Sequence, residues 1–225
     1  TISLHAAEQP RHPSFVFCCA AENDLYRVLT AGGASYPRHD KPADAVRAAA
    51  EGSGVLILAD GYPRSTTEID PAVYDLAAQK KLKLYVEYPA ALPGMKLGKP
   101  QTTRWERAVV ASDAFGPELA RLRILAIQGC RFLPVEAEGA HLVLARVAGF
   151  DTAVYGLADT KTFPILFEHP RGGVLVATTK LSQFVTARYA PEDAWPAVWR
   201  MILGRLQPGA TVPKLEWTRA VRPTY

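Results

Sequence analysis

Carboxylates, cations and tyrosines gather in short polar turns that follow the apolar segments of this chain. The candidate ligand-binding residues in these turns are Glu22, Asp60, Tyr62, Arg64, Glu87, Tyr88 and Lys180. Such a mixture of hydrogen-bond donors and acceptors suits a polyhydroxylated or otherwise polar ligand. Asp60 and Glu87 are also the candidate catalytic residues, because two carboxyl groups with separated pKa values can serve as acid and base in a hydrolysis.

The two carboxylates also have a purely structural interpretation. Asp60 would cap the amides of the loop that follows its strand. Glu87 ends an apolar run, where a carboxylate is costly unless it is paired. An ion pair with an arginine such as Arg64 or Arg188 is therefore as consistent with the pattern as a functional role. The two Tyr-Pro dipeptides in the turns are typical of rigid turns, which leaves a ligand-binding role for their tyrosines open.

Standard catalytic and metal-binding signatures are missing from the sequence. It has no Gly-x-Ser-x-Gly elbow, no phosphate-binding Gly-x-x-x-x-Gly-Lys-Ser/Thr loop and no Gly-x-Gly-x-x-Gly at the start of a helix. The five histidines lie far apart and lack the spacing of metal ligands. We therefore predict no metal and no cofactor.

The three cysteines do not form a disulfide framework. Cys18 and Cys19 are neighbours in an apolar run, and in an extended strand they would point to opposite faces, which favours two buried thiols. Cys130 is followed by a segment with strand character. A nucleophile would instead sit on a turn that leads into a helix, so a catalytic role for Cys130 is not favoured.

The first ninety residues alternate between apolar strands and amphipathic helices. The predicted strands are 14–20, 54–60 and 83–88, and the predicted helices begin near 24, 41 and 71, with a short strand between the first two helices. This alternation favours parallel strands joined by right-handed crossovers. The carboxyl ends of parallel strands meet at one edge of a sheet, so the polar turns should lie together there.

The second half of the chain has a different pattern, with short strands and short connections. Its predicted strands are 107–112, 122–128, 142–147, 152–155, 164–167 and 173–178. A helix that opens at Pro191 places Trp195 and Trp199 on a core-facing stripe. We predict an α/β fold with a mainly parallel sheet and a mixed or antiparallel extension. Lys180 would join the polar edge if 173–178 is also parallel.

Bulk composition is that of a globular domain, with 48% hydrophobic and 21% charged residues. The 26 basic and 22 acidic residues are scattered, which argues against a nucleic-acid partner. No stretch reaches the ~20 apolar residues of a membrane span. We expect one domain over residues 1–207 and a tail or linker over 208–225. The sequence leaves the compartment open, since a targeting segment need not be part of it.

Several segments together resemble the class I glutamine amidotransferase-like superfamily, including its ThuA-like and β-galactosidase-associated members. The resemblance covers roughly residues 13–206. Its segments are the first strand with its helix, GVLILADGYP at 54–63, KLYVEYP at 83–89 and GGVLVATTKLSQF at 172–184, followed by an aromatic helix. It implies a three-layer, flavodoxin-like α/β fold.

The sequence departs from this superfamily at the residues that carry its chemistry. Amidotransferases of this kind have a Gly-x-Cys-x-Gly elbow and a downstream His-x-Glu. Here the elbow position falls at 87–90, without a cysteine, and Phe167-Glu168-His169 has neither the order nor the spacing of the second motif. Hydrolysis of glutamine through a cysteine is therefore not expected.

The resemblance implies a non-catalytic accessory or interaction domain of a bacterial carbohydrate-active protein. Its partners would be a glycan or polar small molecule and a neighbouring catalytic domain. Two alternatives remain, a hydrolase that uses Asp60 and Glu87 and an independent small-molecule binding protein.

Overall fold

A computed structural model describes residues 15–125, 127, 129–183, 194–209 and 215. Several sequence-based expectations lie outside these residues: the pairing of Glu87 with Arg188, the start of the last helix at Pro191 and most of the tail. The strands are β1 Phe15–Cys18, β2 Arg38–His39, β3 Gly54–Ile57, β4 Lys83–Glu87, β5 Gln101–Thr102, β6 Arg107–Val110, β7 Ile124–Leu125, β8 Arg131–Phe132, β9 Leu142–Ala145, β10 Thr162–Glu168 and β11 Val174–Ala177. The helices are α1 Asp24–Ala31, α2 Pro42–Ala48, α3 Pro71–Gln79 and α4 Ala194–Leu206.

Within the described residues, nine strands form one sheet in the order β2-β1-β3-β4-β11-β10-β9-β6-β7. The first five are parallel to one another, and the remaining pairs are antiparallel. The parallel half has the 2-1-3-4-5 order of flavodoxin-like folds, with β11 as its fifth strand. The predicted α/β class with an antiparallel extension is confirmed, and the predicted strand at 173–178 is parallel.

The sheet is covered on both faces, which gives the predicted three layers. One face packs against α1 and α4, where Trp195 and Trp199 are fully buried in the core as predicted. The other face packs against α2 and α3. Cys18 lies in the second of these clusters and Cys19 in the first, as expected for neighbours in a strand.

Local sequence signals account for the helix boundaries. The Asn23 side chain accepts hydrogen bonds from the backbone of Leu25 and Tyr26 at the start of α1. Asp70 accepts one from Ala72, and Pro71 occupies the first turn of α3, where no amide donor is needed. These caps set the residues at which α1 and α3 begin.

The predicted strand at 152–155 is wrong. Thr152 forms a single isolated bridge with Arg123, and the residues after it form a turn. Of the strand predicted at 122–128, the described residues include the strand Ile124–Leu125. The sequence pattern did not indicate the small separate pair that β5 and β8 form. In the described part of the chain, no helix has the length and apolar character that crossing a bilayer requires.

Candidate functional site at the carboxyl edge of the parallel strands

The polar turns predicted from the sequence converge at one edge of the sheet. Strand register places Cys18 beside Ile57, and Glu87 beside Ala177. Four polar segments therefore leave the sheet at the same edge, namely 20–23, 60–64, 87–89 and 178–182. In flavodoxin-like folds, ligands bind at this edge between β1 and β3, where the strand order reverses.

Glu87 lies beneath this edge and has no solvent exposure. Its Oε1 accepts hydrogen bonds from the Tyr85 hydroxyl at 3.0 Å and from the amides of Leu181 at 3.0 Å and Ser182 at 2.8 Å. Its Oε2 accepts from the Ala59 amide at 3.2 Å and the Ser182 hydroxyl at 2.8 Å. The carboxyl group thus joins β4 to the ends of β3 and β11.

Opposing effects act on the ionisation of Glu87. Burial raises its pKa, whereas the nearby Lys180 ammonium and the hydrogen bonds from Ser182, Ala59 and Tyr85 act to lower it. A raised pKa is a property that catalytic acids share. In Glu87, however, both oxygens are taken up by the protein itself. Its role as a catalytic residue stays a prediction, and its contacts favour a structural role.

Asp60 occupies the opposite environment, because it is exposed to solvent. Its Oδ2 accepts a hydrogen bond of 2.5 Å from the Ala20 amide, which joins the turns after β1 and β3. Burial raises its pKa, and the Ala20 amide, Lys180 and the Asn23 side chain oppose that rise. Asp60 thus caps the turn after β1 and not, as the structural interpretation predicted, the loop after its own strand. It also faces solvent at the strand-order reversal.

The remaining predicted charges lie at the same edge with different exposure. Glu22 and Arg64 are exposed in the turns after β1 and β3. Lys180 is buried, with 9% of its surface exposed, close enough to Asp60 and Glu87 to influence both carboxyl groups. Among the described residues, no ion pair links Glu87 with Arg64.

The two tyrosines are buried and pack together. The rings of Tyr62 and Tyr88 make an edge-to-face contact, with centroids 5.1 Å apart. The Tyr62 hydroxyl accepts from the Arg131 amide at 2.7 Å and donates to the Arg131 carbonyl at 3.2 Å. Tyr88, in the second of the two Tyr-Pro dipeptides, has a φ of 47°, a strained backbone conformation for a residue with a side chain.

Sequence reasoning missed three residues of this network. The Asn23 amide donates to the Ser182 hydroxyl at 3.3 Å, and Ser182 and Tyr85 both donate to Glu87. Asn23 was recognisable only as a residue before a helix. Ser182 lies 95 positions beyond Glu87, and no local pattern indicates that contact.

The three cysteine side chains lie inside the folded chain. The predicted burial of Cys18 and Cys19 is confirmed, and Cys130 is buried as well. Burial, followed by the charge of Asp60, raises the pKa values of Cys18 and Cys19 to about 12. In the described residues, no group of three or more His, Cys, Asp or Glu side chains is arranged to hold a metal ion.

A cleft of about 270 Å³ lies at the opposite edge of the sheet, at the amino ends of β4 and β11. Its lining includes Lys83, Glu168, Arg205 and Leu206, and none of the predicted site residues. We place the candidate site at the carboxyl edge instead, because the strand-order reversal and the exposed charged side chains coincide there.

Fold and site together define a three-layer α/β domain with a polar, solvent-facing edge above a buried hydrogen-bonded carboxyl group. No protein-family model matches the chain. It is 30% identical over 89 residues to the transcriptional regulator MraZ of Rhizobium johnstonii, a match that covers 39% of this chain and 59% of that protein. The chain thus spans less than two thirds of the length of this curated relative.

Two solved structures align with this chain at low identity. PurLQS from Thermotoga maritima matches 88% of this chain and 100% of its own, with 14% identity and a TM-score of 0.47. A putative GMP synthase component from Thermoplasma acidophilum matches 87% of this chain and 95% of its own, with 10% identity and a TM-score of 0.42. The fold assignment rests on the strand order and not on these scores.

Proposed function

We propose that this chain is an amidotransferase-like domain without thiol chemistry, which binds a polar ligand at the reversal between β1 and β3. The hydrogen bond between Asp60 and the Ala20 amide is the observation that carries the proposal. It fixes the two turns that flank the reversal, while the exposed Glu22 and Arg64 supply an acceptor and a donor for a ligand.

The lack of catalysis is inferred from the carboxyl end of β4. Glu87 and Tyr88 stand there in place of a nucleophile, and the oxygens of Glu87 already accept five hydrogen bonds. A carboxyl group held in this way supports the turns above it. It has no oxygen free to exchange a proton with a substrate unless the network opens.

The ligand class comes from the family resemblance. It implies a glycan, and it implies a neighbouring catalytic domain of a bacterial carbohydrate-active protein as the partner. A glycan also suits the site, because hydroxyl groups both donate and accept and would pair with Asp60, Glu22 and Arg64 together. An independent small-molecule binding protein would use the same residues.

Titration calorimetry against a panel of neutral oligosaccharides tests the proposal. We expect the wild type to bind and the affinity of Asp60→Asn to be about tenfold lower or more. The control Asp75→Asn alters an exposed carboxylate on α3 and should bind with unchanged affinity. If Asp60→Asn binds as tightly as the wild type, the ligand site lies elsewhere. If no oligosaccharide binds and the neighbouring domain also fails to bind, the proposal is wrong.

A hydrolysis assay on the same panel, and on glutamine, tests the absence of catalysis. We expect no turnover of either substrate class. Glycoside hydrolysis that both Asp60→Asn and Glu87→Gln abolish would establish the carboxylate hydrolase instead. Release of ammonia from glutamine that a cysteine substitution abolishes would establish an amidotransferase.

A further inference from the structure

Four large apolar side chains are strongly exposed at the antiparallel end of the sheet. The exposed fractions are 76% for Trp105, 91% for Phe150, 66% for Val154 and 86% for Tyr155. We call these four residues the aromatic loop surface. Single exposed apolar residues are common, but a group rich in Trp, Phe and Tyr is typical of a binding surface.

Hydrogen bonds bring the two segments of this surface together. Arg107, two residues after Trp105, donates to the Gly149 carbonyl at 2.8 Å and also to the Val147 carbonyl. The Val154 amide donates to the Ala148 carbonyl at 3.0 Å, which closes the loop that carries the other three apolar residues. The four side chains therefore belong to one end of the molecule.

Both segments are held in fixed conformations. Glu106 accepts hydrogen bonds from the amides of Arg104 and Trp105 and from the Arg146 guanidinium at 2.8 Å. Burial opposes ionisation of Glu106, but these donors outweigh it and hold its pKa at about 2, so the carboxylate stays charged. In the other segment Gly149 has a φ of 120°, and an added Cβ would collide with the Thr152 carbonyl oxygen. A surface ordered in advance loses less entropy when it binds.

We propose that the aromatic loop surface is a contact between two copies of this chain related by a twofold axis. Such a contact joins a surface to itself, so the surface must carry both members of every charge pair. Exposed cations Arg104 and Arg146 and the exposed anions Asp151 and Asp159 lie within a few residues of the four apolar side chains. A surface that recognises a strongly acidic or strongly basic partner would instead carry one sign of charge.

The size of the surface predicts a weak, reversible dimer. An aromatic side chain buries roughly 150–250 Å². Three rings from each of two copies therefore account for about 900–1,500 Å², at the low end of specific interfaces. We expect a dissociation constant in the micromolar range. The inference goes beyond the proposed function, because this surface includes none of the residues assigned to the ligand site.

Sedimentation velocity of the full chain over roughly 1–200 µM tests the proposal. We expect a monomer–dimer equilibrium that Phe150→Asp and Trp105→Ala each weaken about tenfold or more, as expected for central contacts. Asp151→Arg should weaken it too, because it replaces one of the two anions with a cation. Asp75→Arg on α3 is the matched control and should leave the equilibrium unchanged. Because Phe150 and Asp75 are exposed, these substitutions should leave the thermal midpoint of unfolding close to that of the wild type.

Four outcomes would overturn the proposal. The first is a monomer at every concentration. The second is a dimer that Phe150→Asp and Trp105→Ala do not weaken, which would place the contact elsewhere. The third is a trimer or an open-ended assembly, which would mean that the surface binds a different part of the next copy. Binding of the wild-type monomer to a neighbouring protein domain, blocked by Phe150→Asp, would assign the surface to that domain.

Discussion

A buried carboxyl group is tolerated when its oxygens are hydrogen-bonded, and Glu87 meets this condition with donors from three separate segments. Burial favours the protonated form of Glu87, whereas the nearby Lys180 ammonium and the hydrogen-bond donors favour the ionised form. Burial prevails, so the pKa of Glu87 is raised above the ordinary value of 4.5. The raised pKa makes the stability of the protein depend on pH.

We predict that the wild type loses stability relative to Glu87→Gln as the pH rises from about 4 to 8. Below 4.5 the carboxyl group is protonated in both the folded and the unfolded chain. Above that value the unfolded chain ionises first, which favours unfolding of the wild type alone. Urea unfolding of both proteins across this pH range measures the effect. A wild-type advantage that grows with pH would show that Lys180 and the donors prevail over burial.

The thiols yield a second prediction at the residue scale. Cys18 and Cys19 are buried and have pKa values of about 12, and Cys130 is fully buried, so a thiol reagent should react only when the fold opens. We expect reaction with Ellman's reagent to be about 10³-fold slower in the native chain than in guanidinium, where all three cysteines should react. A native thiol that reacts within seconds would contradict the assignment of inert cysteines.

At the scale of elements, Asn23 couples the start of α1 to the segment after β11. Its carbonyl oxygen caps the helix, and its amide donates to Ser182. We predict that Asn23→Ala lowers the free energy of unfolding by about 1–2 kcal/mol. Asn23→Ser should lose only part of this, because a serine hydroxyl caps the helix but does not reproduce the amide donor. Equal losses in the two variants would assign the whole effect to the contact with Ser182.

The elements of the parallel half were predictable because strands buried on both faces are continuous apolar runs, as in residues 54–58 and 84–86. The strand predicted at 152–155 was wrong for a related reason. Val154 and Tyr155 favour strands only where a neighbouring strand and a core are available. Here both side chains face solvent, and Gly149 and the bridge at Thr152 turn the chain instead.

At the scale of the whole molecule, the location of the site was predictable but its internal arrangement was not. Parallel strands bring Glu22, Asp60 and Glu87 to one edge whatever their side chains contact. Which of them faces solvent depends on the turns around Ala59 and Ser182, and these are fixed by long-range contacts. Asp60 and Glu87 therefore look alike in the sequence and differ completely in exposure.

The free energy of unfolding of three variants tests the central claim, that Glu87 supports the edge while Asp60 faces the ligand. We predict losses of about 3–5 kcal/mol for Glu87→Ala, which leaves several buried donors unpaired, and about 1–3 kcal/mol for Glu87→Gln. The free energy of unfolding of Asp60→Asn should stay within about 1 kcal/mol of the wild-type value. The asparagine carbonyl oxygen can still accept the hydrogen bond from the Ala20 amide. A Glu87→Ala variant as stable as the wild type, or a larger loss in Asp60→Asn, would contradict the account.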